Sequence, residues 1–262
     1  MLNHDNHVRI RVTLGNFYIQ YNHLHDGTTI IETYILNIYR TELLKKSDID
    51  LDLGAGIGDF TLLVSKKSGP NGRVIAIEPL PDDYETLLKN LKENRCDNVS
   101  SINVAVTDFN EELQLEFKGK TFKTMSKPLL DILNKEKVDK INFCKMDIEG
   151  GEREVIPSNP SVFSDVQYLS REIHEGYQDK LIPTMERLGF RFERITKRSY
   201  IKNTFKFASK HTLKTCTLLH LLKQAKEYTS VIKIIKGIDI EMSDNLAVGT
   251  FIKRLHKIEI TK

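Results

Sequence analysis

Ile49-Asp50-Leu51-Asp52-Leu53-Gly54-Ala55-Gly56-Ile57-Gly58-Asp59-Phe60 is the stretch that decides the fold. Five residues of strand length run into a turn holding three glycines, and Phe60 to Lys67 after it read as a helix. Glycines in such a turn let a ligand approach the backbone without a Cβ in the way. The same order then repeats along the chain. Arg73 to Ile77, Val99 to Val106, Ile141 to Met146 and Val166 to Ile173 read as strands. Pro81 to Asn94, Lys127 to Asn134, Glu152 to Ile156 and Lys180 to Leu188 read as the helices between them. Alternation of this kind predicts an α/β fold, a mostly parallel sheet with helices on both faces. Phe190 to Thr196 and Leu246 to Ile252 are expected to close it as a late antiparallel pair.

Ahead of this core, Val8, Ile10, Val12 and Leu14 alternate with polar residues before Gly15-Asn16, which predicts an N-terminal hairpin. Asp26-Gly27-Thr28 then signals a helix start, and apolar residues recur at helical spacing up to about Leu44. The expected organisation is a hairpin-helix lead-in over 1–47, a ligand-binding core over 48–198, and a basic insertion with the closing strand over 199–262.

The glycine turn by itself suits several nucleotide-like ligands. A dinucleotide fingerprint wants its third glycine or an alanine at position 59, where this chain has Asp59. A carboxylate at a helix N-terminus would repel a diphosphate that the helix dipole otherwise favours. S-adenosylmethionine carries no phosphate, and its ammonium and sulfonium suit nearby acids such as Asp52. Twenty residues past Gly58 the second strand ends in Glu78-Pro79, which places a carboxylate to accept both ribose hydroxyls of an adenosine. Pro79 could pack flat on the adenine, with the backbone of Ala105 and Val106 flanking its other side. The expected cofactor set is therefore Asp52, Gly54, Ala55, Gly56, Gly58, Glu78, Pro79, Ala105, Val106 and Asp147.

The fourth strand leads into Asp147-Ile148-Glu149-Gly150-Gly151-Glu152, two acids at a Gly-Gly turn on the carboxyl side of a strand, where ligands of such sheets bind. The fifth ends in Glu172-Ile173-His174, and period-2 geometry puts Glu172 and His174 on one face. Plainer roles stay open beside these: a helix cap for Glu149 and Glu152, and a partnered strand-end histidine for His174.

On these residues the chain resembles the FkbM family of methyltransferases. The likeness rests on Asp52-Leu-Gly-Ala-Gly-Ile-Gly-Asp-Phe-Thr61, Ile77-Glu-Pro-Leu-Pro81, the Asn90 and Asn94 spacing, Val104-Ala-Val-Thr-Asp108, Lys145-Met-Asp-Ile-Glu-Gly-Gly-Glu152, Glu172-Ile-His174 and Gly189-Phe190. It runs in order from about Asp26 to Thr196, and its most specific part is the Asp-Ile-Glu-Gly-x-Glu element. The resemblance implies a class I, Rossmann-like methyltransferase fold, S-adenosyl-L-methionine as cofactor, and methylation of a hydroxyl on a sugar, glycan or small metabolite. Two departures stand out. The family's alanine-asparagine pair is Ala55-Gly56 here, and the basic insertion after Tyr200 has no place in the pattern.

An alcohol acceptor must lose a proton during methyl transfer. His174 is the expected general base, with Glu172 holding its tautomer, and Asp147 or Glu149 is the alternative that orients the hydroxyl. The same carboxylates and imidazole could instead hold Mg²⁺ or Mn²⁺. No third carboxylate is clearly placed for that, and no metal site is assigned.

Composition fits this reading. A chain of 262 residues with 40% hydrophobic content can bury a core without metals or disulfides. Its three cysteines show no CxxC spacing, Met1 to His7 lacks a signal-peptide pattern, and no stretch approaches about 18 apolar residues. A reducing cytoplasm is the expected setting.

The net charge is only +3, but Lys197 to Lys236 carries ten Lys or Arg against the single acid Glu227. That is +9 there and −6 elsewhere. Such a segment is either a solvated face or a site for an acidic partner. The expected partner is a small-molecule or glycan acceptor, an acidic one if this segment meets it. One rival reading is an RNA methyltransferase that holds nucleic acid on the segment. Another is a non-catalytic module that binds cofactor or a partner.

Overall fold

The computed structural model describes residues 7–12, 15–20, 24–117, 119–148, 151–173, 178–196, 198–204, 206–207 and 247–253. A hairpin of β1 (His7–Val12) and β2 (Gly15–Gln20) leads to α1 (Leu24–Ile31). The core follows as β3 (Ile49–Leu53), α2 (Asp59–Ser68), β4 (Arg73–Ile77), α3 (Pro81–Asn94) and β5 (Val99–Ile102). Three further strands, β6 (Ala105–Thr107), β7 (Glu112–Phe117) and β8 (Lys120–Pro128), precede α4 (Leu129–Lys135) and β9 (Phe143–Met146). The chain then runs through α5 (Glu152–Ser158), α6 (Pro160–Asp165), β10 (Tyr168–Ile173), α7 (Gln178–Arg187), β11 (Phe190–Arg194) and β12 (Ala247–Lys253).

Among the described residues the main sheet has seven strands in the order β5-β4-β3-β9-β10-β12-β11. The five strands from β5 to β10 are parallel, and β12 runs antiparallel between β10 and β11. The expected closing pair is therefore present. Strand order reverses between β3 and β9, which opens a crevice at their carboxyl ends.

Alternation on buried strands sends side chains to two cores. Leu51, Leu53, Cys144 and Met146 pack with α4 to α7, and Phe143 packs on the other face with Phe60 and Leu62 of α2 and Leu87 of α3. Burying each such side chain stabilises by about 1.5–3 kcal/mol. Phe17, Ile30 and Ile31 of the lead-in belong to the second of these cores. Asn90, fully buried, ties the lead-in down. It accepts the Tyr18 N–H at 2.6 Å and donates to Tyr18 O at 3.2 Å and to Ile57 O at 2.8 Å.

Three expectations are corrected. The helix predicted from Asp26 to Leu44 is broken: α1 begins at Leu24, continues as a π-helical turn at Glu32–Leu36, and is followed by a 3-10 turn at Thr41–Leu43. Asn37 and Arg40, both at φ 53°, interrupt the helical backbone. The third strand, predicted unbroken from Val99 to Val106, ends at Ile102. The Asn103 amide donates to Glu78 O at 2.8 Å and Pro79 O at 3.1 Å, and the chain leaves the sheet to pair β6 with β8. The stretch from 108 to 126, left without an element by the α/β pattern, holds β7 and most of β8, and because β8 runs on to Pro128 the helix expected from Lys127 starts at Leu129.

Candidate active site

A cavity of about 390 Å³ lies in the crevice, floored by the glycine turn and walled by Glu78 to Leu80, Val104 to Thr107, Lys145 and Asp147. Leu113, Leu115 and Phe117 of β7 form its apolar side. A wider depression of about 670 Å³ opens at the opposite, amino end of β4 and β5, away from this chemistry. Ligands of open α/β sheets bind at the carboxyl ends, where the smaller cavity is.

The glycine turn is built to bring backbones together. Gly54 adopts φ 75°, and a Cβ there would stand 1.8 Å from the carbonyl oxygen of Asp147. Gly58, at φ 87°, would press a Cβ to 2.5 Å from Leu87 Cδ1. Neither position tolerates a side chain without moving its neighbour. The N–H groups of Gly54 and Ala55 both donate to Ile77 O, at 3.0 and 2.9 Å, which binds the turn to the end of β4.

Glu78 completes that junction. Its Oε2 accepts the Gly56 N–H at 2.7 Å and its Oε1 the Leu80 N–H at 2.8 Å. A carboxylate has about four acceptor sites, so each oxygen retains capacity for a ribose hydroxyl. Burial pushes this carboxyl up to about 7, although both backbone bonds pull it down.

Lys145 sits beneath the turn, buried at the end of an apolar strand. Its ammonium donates to Gly54 O, lies 3.3 Å from Asp52 Oδ1 and 4.0 Å from Asp147 Oδ2, and faces the Tyr39 ring at 5.5 Å. Burial works against its charge, but Asp52, Asp147 and Asp59 outweigh that and hold its pKa above the usual lysine value. Asp52 also accepts the Thr61 hydroxyl at 2.5 Å, and Asp59 accepts that of Thr33. Burial pushes Asp59 up to about 6.

Of the residues expected to hold a cofactor, Gly54, Ala55, Gly56, Glu78, Pro79, Ala105, Val106 and Asp147 line the cavity together. Asp52 and Gly58 are not on the wall. Asp52 is fully buried below it, hydrogen-bonded by Thr61 and ion-paired with Lys145, and Gly58 caps α2 against Leu87. Their part is to shape the turn. Among the expected catalytic residues, Asp147 is at the cavity, while Glu149 and His174 lie outside the described residues. Glu172 is on β10, its Cα opposite Val248, and its side chain is likewise outside the description. Among the described residues no three His, Cys, Asp or Glu are grouped to hold a metal ion.

Sequence reasoning missed Tyr39, Lys145, Asp83 and the β7 face, all of which line the cavity. Lys145 had a signal, a cation inside the run Phe143-Cys-Lys-Met146. Leu113, Leu115 and Phe117 had one too, in the strict alternation of Glu112 to Phe117. Tyr39 had none.

A buried acid that accepts backbone donors, beside a glycine turn whose helix starts with a carboxylate, fits an adenosine ligand that carries no phosphate. With the antiparallel seventh strand, these features define a class I methyltransferase fold with a site for S-adenosylmethionine. Residues 52–192 match the model of the methyltransferase FkbM domain, and the chain belongs to that family. It is similar to the hexuronic acid methyltransferase AglP of Haloferax volcanii, 25% identical over 153 residues. That match covers 53% of this chain and 61% of the relative, so the chain spans less than two thirds of that relative's length. Among solved structures it is similar to Pyrococcus horikoshii TYW2 in complex with MeSAdo, with a TM-score of 0.46 and 16% identity over 73% of this chain and 64% of that one. Precorrin-6y C5,15-methyltransferase from Geobacter metallireducens gives a TM-score of 0.44 and 17% identity, over 63% of this chain and 73% of that one. Among the described residues no helix is long and apolar enough to cross a membrane.

Proposed function

We propose that the protein transfers a methyl group from S-adenosylmethionine to a hydroxyl of a sugar, glycan or small metabolite. The observation that carries this reading is Glu78, a buried carboxylate anchored by one backbone N–H on each oxygen and open to the cavity. Glu78 would take the ribose hydroxyls, the Gly54 to Gly56 backbone would pass under the amino-acid portion, and Pro79, Ala105 and Val106 would enclose the adenine.

Bound S-adenosylmethionine supplies a sulfonium methyl, so the new C–O bond forms as the C–S bond breaks and the bonding pair leaves on sulfur. The chain's task is alignment and removal of the hydroxyl proton. Asp147, at the cavity, would orient the acceptor. His174 follows β10 in the chain, and the register of β10 sets Arg171 beside Met146, one residue before Asp147. The order Glu172-Ile-His174 at the end of β10 supports His174 as the base that would receive the proton, with Glu172 and Glu149 in supporting roles.

The relative's name, a methyltransferase of a hexuronic acid, supports a sugar acceptor. Carboxylates of Asp59, Glu78, Asp83, Asp147 and Glu154 around the cavity disfavour a polyanion such as RNA more strongly than a small acceptor of low charge. Cys96 and Cys144, buried and unbridged, suit a reducing cytoplasm.

The first test is thermal unfolding with S-adenosylhomocysteine. At a hundred times its dissociation constant the ligand should stabilise by about 2.7 kcal/mol. No shift at any concentration would overturn the cofactor assignment. The second is His174→Ala, which should lose most methyl transfer to acceptor while retaining that shift. Undiminished transfer would remove His174 as the base.

A further inference from the structure

The family match begins at residue 52, yet a side chain well ahead of it enters the cavity. Tyr39 is buried, with its ring edge-on to Phe60 at 5.3 Å and the Lys145 ammonium 5.5 Å from its centroid. Its hydroxyl donates to Asp147 Oδ2 at 3.0 Å. We infer that Tyr39 is a positioning residue of the active site, which occupies Oδ2 of Asp147 so that Oδ1 is the oxygen offered to the cofactor. This rests on the cofactor reading above and extends it to a segment of the chain outside the family match.

The backbone around Tyr39 is shaped for this delivery. The π-helical turn Glu32–Leu36 ends at Asn37, whose N–H reaches back to Glu32 O, and the left-handed Asn37 and Arg40 bracket Ile38-Tyr39. Turns of this type recur at functional sites. Asn37 Oδ1 accepts both the Thr41 N–H at 2.9 Å and the Thr41 hydroxyl at 2.6 Å, which closes the loop below the tyrosine. Burial, followed by the nearby charges of Asp147, Asp59 and Glu32, holds the phenol well above its usual pKa, so its proton stays on and is donated.

Asp147 needs such a partner. Its backbone is pinned by an N–H bond to Leu53 O at 3.0 Å, but its side chain is partly exposed and only 4.0 Å from Lys145. An ammonium has three donors, and Lys145 directs two toward Gly54 O and Asp52. Without the tyrosine hydroxyl the Asp147 carboxylate is free to close on the third and turn away from the cavity. Tyr39 holds it short of that contact.

The test is a double-mutant cycle on S-adenosylhomocysteine affinity, measured by calorimetry on wild type, Tyr39→Phe, Asp147→Asn and the double variant. Phenylalanine keeps the ring against Phe60, so the unliganded protein should melt within a few degrees of wild type. Tyr39→Phe should weaken binding about tenfold. On the Asp147→Asn background it should add less than about twofold, because the oxygen it positions is already altered. Losses that multiply in the double variant, or a Tyr39→Phe protein that binds like wild type, would overturn the inference. Wild type that fails to bind at all would instead overturn the cofactor reading.

Discussion

Lys145 and Arg171 are both buried cations near the ends of adjacent strands, yet they serve different ends. The register sets Arg171 beside Met146, so Arg171 faces the α5 side of the sheet while Lys145 faces α2 and the lead-in. Arg171 stands 3.5 Å from Glu152 at the start of α5, with both side chains excluded from water. This pair fastens the start of α5 to β10. Lys145 is set among Asp52, Asp147 and Asp59, more negative charge than one ammonium balances, and the excess borders the cavity. A buried pair of opposite charges that ties one element to another is architecture. Surplus charge of one sign beside a cavity is an attraction for a cation, and the proposed methyl donor carries a sulfonium and an ammonium.

That contrast can be broken most forcefully by removing one partner at a time. Arg171→Met strands Glu152 in the core and should cost about 3–5 kcal/mol of stability in urea unfolding. Arg171→Met with Glu152→Leu should be more stable than Arg171→Met alone, because the stranded Glu152 charge is then gone. Lys145→Met should destabilise comparably by leaving Asp52 without its cation, and adding Asp52→Asn should restore folding. The restored protein should still fail to bind S-adenosylhomocysteine. If it bound normally, the two cations would be equivalent and the distinction lost.

A smaller effect sharpens the same picture at Glu78. Its folded-state pKa of about 7 is above the ordinary carboxylate value, so its stabilising contribution is full below that ordinary value and is lost as pH rises through about 7. Ribose hydroxyls donate to the ionised form. Affinity for S-adenosylhomocysteine should therefore fall as pH drops below about 7, by up to about tenfold per unit. Glu78→Gln should bind more weakly at pH 8 and show a flatter profile in calorimetry. A wild-type profile flat from pH 5.5 to 8 would exclude Glu78 as the ribose ligand.

How much could be read from the residues alone depended on how local the signal was. Ile49–Leu53, Arg73–Ile77 and Pro81–Asn94 are found at their predicted bounds, because strand length and helical period are properties of a few neighbours. The break at Asn103 was hidden, since its cause is a side-chain bond to the carbonyls of Glu78 and Pro79, 25 and 24 residues away. The lead-in helix failed for a related reason. Its apolar spacing is helical, but Asn37 and Arg40 take left-handed backbone in a segment that packs onto α2, and Arg40 has no local preference that announces it.

The site divides the same way. Gly54, Glu78 and Asp147 each close a strand next to a turn, so order and spacing along the chain already grouped them, and all three line one cavity. Asp52 was read as a cofactor contact because it adjoins the glycine turn. The pleat instead directs it inward, where Thr61 and Lys145 receive it. By itself the sequence determined the α/β class, the glycine turn and the acids at the strand ends, all fixed by short-range periodicity and by glycine's lack of a Cβ. Only the tertiary structure decided that Lys145 is buried among three carboxylates and that Tyr39, 108 residues from Asp147, reaches it through a hydrogen bond. Such contacts depend on how distant segments pack against one another, which no local pattern encodes.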